Sequence, residues 1–545
     1  MRWPKCVCDA LKCKIARWGL SALFTGYTVK TNRLVIRGYT VPSMFDVSAQ
    51  RTPLEHNPHP HVFSSIDELW EKLRAAEGKS IRDIDLTGRA DKKNNKGFQG
   101  TVFEESVVRY KANSDPNPDL LVGGIPYELK MTPLRHYSKR NKKSADFDFY
   151  AKERLVIDII NYLKLPDEHF YTSTFWRKAK NIVIVYYIDD RRDRKNQPRD
   201  ECKVYKSVIL DYRNQELATI REDWQFIHDK VAAGHADSLS ESDTNYLAAS
   251  TKGRTAETSR RKAPAPKGAS EKYITAKQRA FSYKASYMSM VAKRLLGTSD
   301  EEHLLLSPDE SLSRYVRERT NQYVGHTCRE IVSSLAEYHL PSVKAHQYKQ
   351  RLVLAMLGSR SKNIDDVEQF KAAGVTQVKV VERFNDELPK ESMSFPYITE
   401  DQWNELGDPT VQWHDSFMYR FFEDNRMLIC SLRNRGTRTH KRDFMDDIFE
   451  GAFLWNMPEG DIERYVRPVW ERVHQLMVDK QPLHYGERRG SNLLPDSSFN
   501  GVCHIRPHGG DGTDRILLPN GESITKQAFW LDRRYVAKVI HEHLG

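Results

Sequence analysis

The feature that most limits how this chain can fold is an internal duplication. Three segments recur in the same order in its two halves: residues 172–188 match 415–432, 220–228 match 466–474, and 277–291 match 526–540. The first pair reads as a charged turn before a buried strand, and the second places Arg, Trp and His at equal offsets on a helix. Three matches in order indicate a repeated unit. Both halves mix Val/Ile/Tyr-rich runs with helical stretches, which predicts an α/β fold formed twice.

Composition divides the chain further. Residues 1–43 carry eight lysines and arginines but a single acid, and we expect a disordered extension outside the folded core. A start of translation at Met44, a targeting segment and a small extra element stay open as alternatives. We predict one lobe over 60–295 and a second over 300–545. Residues 251–273 are rich in Lys, Arg, Pro, Gly and Ser, which predicts a mobile basic loop, either a connector or a phosphate-contacting segment.

Charge and cysteine content exclude several classes of protein. The extension supplies most of the net charge of +11, so any nucleic-acid surface on the main body must be local. No apolar run is long enough to span a bilayer, so no membrane association is expected. The seven cysteines have no disulfide-like spacing, which favours a protein of the reducing cytoplasm.

The candidate catalytic residues lie in the segment NPDLLVGGIPYELKMTPL, residues 117–134. Residues two apart on a strand share a face, so Glu128 and Lys130 lie side by side in an apolar segment, with Asp119 upstream. Burying such charges is costly unless they pair with each other or hold a metal ion. Two carboxylates can hold a divalent cation for phosphodiester hydrolysis, and a lysine can orient the attacking water. The pattern alone favours a structural ion pair over a nuclease site.

A second acid-x-Lys pattern occurs at residues 201–203, inside a charged polar stretch that favours a solvated surface. The copy at residues 128–130 differs in context. It lies in an apolar strand entered by Gly123 and Gly124, and it follows a predicted helix over 100–111 that bears Glu104. Context therefore selects the copy at 128–130.

These residues resemble a known family. GTVFE (100–104), NSDPNPD (113–119) and YELKMTP (127–133) resemble MutH, the mismatch-repair endonuclease, and more closely the MutH-related type II restriction endonucleases that cut at GATC. The resemblance runs from about residue 60 to the end of the chain, with further ordered matches at 151–162, 175–183, 221–224, 277–288 and 504–522. It implies two tandem MutH-like lobes of the PD-(D/E)XK superfamily, each a mixed sheet flanked by helices, with the second degenerate.

The resemblance also implies a catalytic set. Asp119 and Glu128 correspond to the metal-binding acids, Glu104 to an assisting carboxylate and Lys130 to the catalytic lysine, while Lys178 corresponds to a second active-site lysine; Mg²⁺ is the implied cofactor. The nine-residue gap from Asp119 to Glu128 is two longer than usual in the family. Asp115 is therefore an alternative ligand.

The resemblance assigns DNA-contacting residues less directly than it assigns the catalytic set. The resemblance points to Lys252 and Lys284 in the first lobe and to Arg506 in the second, although each could be an exposed or structural side chain. The second lobe has Gln377 where the metal-binding Glu would be, and Gln369 near the Asp position. Because an amide replaces a carboxylate poorly at a Mg²⁺ site, this lobe is expected to be catalytically dead. The resemblance implies that it binds a second DNA site as an effector.

We therefore expect a Mg²⁺-dependent restriction endonuclease that hydrolyses double-stranded DNA at GATC and leaves 5′-phosphate ends. Dimerisation on DNA is a further expectation. A nicking endonuclease of mismatch repair is the second hypothesis, although MutH has a single lobe. A DNA-binding protein without activity is the third, and the complete acid and lysine set of the first lobe argues against it.

Overall fold

The computed structural model describes residues 34–36, 39–41, 61–91, 97–111, 117–137, 147–191, 198–251, 259–297, 304–345, 347–437, 439–483, 493–511 and 513–545. The chain divides into two compact units, Met1–Glu55 and His56–Gly545. In the first unit, β1 (Leu34–Ile36) and β2 (Tyr39–Val41) pair as an antiparallel hairpin. The rest of the predicted extension lies outside the described residues.

The main sheet of the first lobe has the strand order β3-β4-β5-β8-β9, and β6 also pairs with β5. Its strands are β3 (His61–Phe63), β4 (Leu120–Val122), β5 (Ile125–His136), β6 (Phe149–Ala151), β8 (Ile182–Ile188) and β9 (Lys203–Ile209). β5 runs parallel to β8, and β9 returns antiparallel, so the sheet is mixed. β8 is apolar on both faces, as expected for a central strand covered on both sides.

Helices cover both faces of this sheet. Val183 and Val185 join a core with three helices, α1 (Ile66–Ala76), α2 (Ile81–Ile84) and α3 (Phe98–Val102). Ile182 and Ile184 face the other way, into a core with α4 (Thr174–Ala179), α5 (Asn214–Ala232) and α6 (Ala285–Leu296). A smaller antiparallel sheet, β10-β13-β7, closes that second core; its strands are β7 (Leu155–Ile159), β10 (Leu247–Thr251) and β13 (Arg279–Tyr283).

The second lobe repeats this plan. Its main sheet is β14-β16-β17, with β14 (Val375–Arg383) parallel to β16 (Arg426–Arg433) and β17 (Ile448–Trp455) antiparallel. Its smaller sheet is β15-β21-β18, formed by β15 (Met393–Tyr397), β18 (Cys503–Pro507) and β21 (Gln527–Leu531). The helices of this lobe are α7 (Leu312–Asn321), α8 (Cys328–Ser334), α9 (Tyr348–Met356), α10 (Glu368–Ala372), α11 (Glu400–Leu406), α12 (Phe417–Asp424), α13 (Glu459–Asp461), α14 (Arg467–Val478) and α15 (Arg533–Leu544).

The duplication predicted from the sequence is thus present in the fold. In both lobes a helix precedes the central strand, a longer helix follows the antiparallel strand, and a final strand leads into a final helix. The repeated Trp and His of the second segment pair stack in each copy, with ring centroids 5.1 Å apart for Trp224 and His228 and 4.5 Å apart for Trp470 and His474. They are packing residues, as the sequence indicated.

Two expectations about secondary structure were wrong in part. The predicted loop over 251–273 contains β11 (Arg260–Pro264), which pairs with β12 (Tyr273–Lys277) in a basic hairpin. Residues 252–258 of that segment lie outside the described residues. A matching hairpin in the second lobe joins β19 (Arg515–Leu517) to β20 (Ser523–Thr525). The predicted helix over 100–111 is regular only to Val102 and continues as a π-helical turn over Phe103–Val108.

The two lobes share one continuous core and a set of buried polar contacts. Glu459 of the second lobe accepts hydrogen bonds from Lys277, at 2.5 Å, and from the fully buried Arg279 of the first. Arg426 reaches back to the side chain of Asn245. Within the described residues, no helix is long and apolar enough to cross a membrane.

Candidate active site

A tight hairpin brings the first two acids together. Gly123 and Gly124 have φ angles of 56° and 81°, and this two-residue turn with positive φ at both positions matches the twist of paired strands. Leu120 lies opposite Tyr127, so Asp119 and Glu128 are the next facing positions. A carboxylate oxygen of Asp119 accepts a hydrogen bond from the Leu129 amide at 2.9 Å. The longer gap between the two acids is therefore taken up by the hairpin, and Asp115 lies outside the described residues.

Glu128 and Lys130 form the predicted same-face pair on β5. Lys130 Nζ lies 2.6 Å from Glu128 Oε1, and the Glu128 side chain is only 2% exposed. Within the described structure, Glu128 Oε2 is buried without a hydrogen-bond partner. Burial opposes the charged form of Lys130, but the carboxylates of Glu128 and Asp119 outweigh it and raise the lysine pKa. Lys130 is therefore a cation at neutral pH and not a proton acceptor.

Glu104 comes from a different element, the π-helical turn that continues α3. Such turns shift one side chain out of the regular helical register. Burial, followed by the negative charge of Asp119, raises the pKa of Glu104 to about 8, while Lys130 acts in the opposite direction. The neighbouring Glu105 points elsewhere and binds Arg89 through two contacts of 2.6 Å. The π turn thus separates a site carboxylate from a structural one.

Lys178 reaches the site from α4, whose first turn is capped by Ser173. Its Nζ lies 3.8 Å from Glu128 Oε1 and 3.9 Å from Asp158 Oδ1. The five catalytic residues predicted from the sequence thus lie around one carboxylate cluster, contributed by the hairpin, the π turn and α4. The geometry is compatible with the roles expected of them.

Two residues of the site were missed from the sequence. Asp158 lies on β7, where a single acid in the apolar run LVIDI was the available signal. Tyr110 follows the π turn and is buried; burial, then the charges of Asp119 and Glu104, raises the pKa of its hydroxyl. Both enlarge the set of polar groups that face the carboxylates.

The donor set fits an oxygen-ligated divalent cation. The described residues hold no preformed group of three metal-ligating side chains at coordinating geometry. The partnerless Oε2 of Glu128 and the raised pKa of Glu104 nevertheless indicate carboxylates with too little compensating positive charge. Asp119, Glu128 and Glu104 are the residues that could hold the ion, because hard divalent cations take carboxylate oxygens.

The competing pattern at residues 201–203 lies downstream of a buried, paired acid. Asp189, upstream of it, is buried and binds Lys152 at 2.5 Å and Arg191 at 2.8 Å. Those contacts lower the pKa of Asp189 to about 2 against the opposing effect of burial. Cys202 is also buried. Glu201 and Lys203 are themselves exposed, as expected of a solvated surface, while Asp189 upstream of them is fixed by paired charges.

The second lobe lacks the acids of the first. Gln377 and Lys379 lie on β14, the counterpart of β5. β15 is the counterpart of β7. Pro396 stands three residues after the start of β15, at the position where β7 carries Asp158. Gln369 lies on α10 and binds the backbone of Leu304, so it takes no part in any equivalent site.

The three residues expected to contact DNA differ in their structural surroundings. Lys252 lies outside the described residues. Lys284 precedes α6, and its amine donates to the backbone carbonyl of Thr244. Arg506 is exposed on β18, with its guanidinium 4.9 Å from the Trp530 ring.

Comparisons with known proteins find sequence similarity over most of the chain. The family model described as DNA mismatch repair enzyme MutH matches residues 108–223, inside the first lobe. The type II restriction enzyme Sau3AI of Staphylococcus aureus is 29% identical over 521 residues, covering 87% of this chain and 98% of that enzyme. The DNA mismatch repair protein MutH of Shewanella woodyi is 26% identical over 184 residues, covering 33% of this chain and 72% of that protein.

Proposed function

We propose that this chain, a MutH-related restriction endonuclease and thus a site-specific deoxyribonuclease, hydrolyses double-stranded DNA at GATC sites with Mg²⁺ and leaves 5′-phosphate ends. The observation that carries the chemistry is the convergence of Glu104, Asp119 and Glu128 with Lys130 and Lys178 in the first lobe. GATC as the target follows from the resemblance of the sequence motifs.

Each residue has a proposed role. Asp119 and Glu128 would hold the metal ion, and Glu104 would assist from the π turn. A divalent cation bound there would neutralise charge on the scissile phosphate and lower the pKa of the attacking water. Lys130 is positively charged and half-buried among carboxylates, so it orients the water and stabilises the extra negative charge of the phosphate in the transition state. Lys178 supplies a second positive charge beside Glu128.

The second lobe is proposed as a catalytically inactive DNA-binding lobe that takes a second GATC site. Arg506 contacts DNA there, and Lys252 and Lys284 contact DNA in the first lobe. The β11–β12 hairpin is a further proposed DNA contact, since Arg260, Arg261 and Lys262 are exposed on it. Two copies of the chain could meet on DNA, and the cytoplasm is the proposed site of action. Restriction is favoured over mismatch-repair nicking because the similarity to Sau3AI extends over both lobes.

The test uses purified protein and an unmethylated plasmid, with Mg²⁺ in one sample and EDTA in the other. Sequencing of the ends should find Mg²⁺-dependent breaks at GATC with 5′-phosphates, and Lys130→Ala should give none. Double-strand breaks at another sequence would refute the target alone. Single nicks would support the mismatch-repair activity, and an intact plasmid that is still bound would refute the proposed catalysis.

A further inference from the structure

A cavity of about 380 Å³ lies in the second lobe at the position that corresponds to the active site of the first. It runs along β14, which carries Lys379 where β5 carries Lys130. In the first lobe, β4 and β6 cover the outer edge of β5. β14 is instead the last strand of its sheet, so the edge facing the cavity is not paired with another strand in the described structure.

Lysines dominate the polar lining of this cavity. Lys349, Lys379, Lys390 and Lys441 contribute four positive charges, against Glu382 and Glu391. Glu382 is buried and is engaged by Lys349 and Lys441 together. Lys390 and Glu391 are 3.8 Å apart at the exposed rim, where such a pair contributes little to stability. The lining therefore keeps a net positive charge inside a concave surface.

Lys379 is the lysine without a compensating acid. Its ammonium donates to the backbone carbonyl of Ser394 and lies 5.2 Å from the Phe395 ring centroid. Among the described residues, no carboxylate lies within ion-pair distance of it. Burial lowers its pKa to about 8, so it remains mainly charged at neutral pH. An ammonium has three donors, and one carbonyl satisfies only one of them.

The residues that replace the acids of the first lobe remove a cation site and favour the binding of an anion. Gln377 and Pro396 occupy positions that hold acids in the first lobe, so no carboxylate there would repel a phosphate. As an edge strand, β14 also presents backbone N–H and C=O groups away from its sheet, and the Glu382 carbonyl among them accepts a hydrogen bond from the Lys390 amide at 3.0 Å. Positive side chains with backbone donors in a concave site are the usual elements of a phosphate site.

We propose that this cavity binds a phosphate group directly through Lys379, without a metal ion. The ligand chemistry is shared by a phosphodiester of the DNA backbone and by free phosphate. The degenerate site would then have exchanged hydrolysis of a phosphate for recognition of one. This inference concerns the second lobe and does not depend on catalysis in the first.

The experiment compares Lys379→Gln with Lys344→Gln, an exposed lysine of the same lobe outside the cavity lining. Both changes are made in a full-length Glu128→Gln background in EDTA, so that DNA stays intact. One measurement is the affinity for a short labelled duplex as a function of salt. The other is calorimetric titration with inorganic phosphate. Lys379→Arg, which keeps the charge, should retain binding in whichever measurement Lys379→Gln loses it.

We expect Lys379→Gln to lower the slope of log affinity against log salt by about 1, the contribution of one phosphate contact, and to abolish the phosphate heat. Lys344→Gln should change neither. A change in the DNA measurement alone identifies a phosphodiester of the DNA backbone as the ligand. A change in the phosphate measurement alone identifies free phosphate as the ligand. If Lys379→Gln does not fold, Lys390→Gln at the rim replaces it with the same expectation. No effect in either measurement overturns the proposal.

Discussion

Glu104→Gln should stabilise the protein at neutral pH when no metal ion is present. The pKa of Glu104 is raised from 4.5 to about 8 in the folded state, by burial and by Asp119. At pH 7 the unfolded chain ionises this carboxyl, whereas the folded chain keeps it mostly protonated. Folding then loses about 3 kcal/mol, taking 1.36 kcal/mol for each pKa unit between 4.5 and 7. A neutral amide would remove that loss.

The direction of the Glu104 pKa shift determines how the stability of the protein depends on pH. A carboxyl with a raised pKa leaves stability intact below pH 4.5 and lowers it as the pH rises toward about 8. The advantage of Glu104→Gln should therefore be near zero at pH 4.5 and grow to about 3 kcal/mol, as an upper estimate, at pH 7. Urea denaturation in EDTA across this pH range measures it. Added Mg²⁺ should reduce the advantage, because a cation held by the carboxylates favours the folded wild type.

Glu105→Gln is the matched control. This neighbouring glutamate is buried and paired with Arg89 through two contacts of 2.6 Å, so its loss should destabilise the protein. The two adjacent substitutions are thus expected to have opposite signs at pH 7. The reasoning would be refuted if Glu104→Gln destabilised the protein in EDTA, or if its effect were the same at pH 5 and pH 7.

Three further predictions address other parts of the molecule. Lys178→Ala should lower the single-turnover cleavage rate by roughly 10²–10³-fold, by loss of a charge near the reacting phosphate, with duplex affinity in EDTA nearly unchanged; an unaltered rate would exclude it from the site. Gly124→Ala should cost about 1–2 kcal/mol in urea denaturation, since its φ of 81° strains any side chain although no atom lies within 4 Å of a new Cβ; no loss would contradict the turn assignment. Glu459→Gln should cost about 3 kcal/mol by leaving the buried Arg279 without its carboxylate; a change below 1 kcal/mol would show that this contact contributes little.

The sequence predicted the parts of the fold that depend on local pattern. The alternation around Glu128 and Lys130 placed both on one face of a strand, and the order of the repeated segments gave the duplicated α/β plan. The sequence marks Gly123 and Gly124 only as the entry to this strand. Their role as a two-residue turn became clear from the positive φ angles and the strand register.

What the sequence did not reveal depends on contacts between distant segments. The π turn that separates Glu104 from Glu105 has no local signature, since both look like ordinary helix residues. Asp158 joins the site because the smaller sheet packs against α4, which a single strand pattern does not encode. The β11–β12 hairpin was read as a loop because its strands are short, basic and mostly exposed.

The central claim is that only the first lobe hydrolyses DNA. The most direct test is single-turnover cleavage of an unmethylated GATC duplex by saturating enzyme with Mg²⁺, comparing Glu128→Ala with Gln377→Ala at the corresponding position of the second lobe. Glu128→Ala is expected to abolish cleavage, and Gln377→Ala is expected to cut at the wild-type rate. Cleavage that survived in Glu128→Ala and disappeared in Gln377→Ala would contradict this claim.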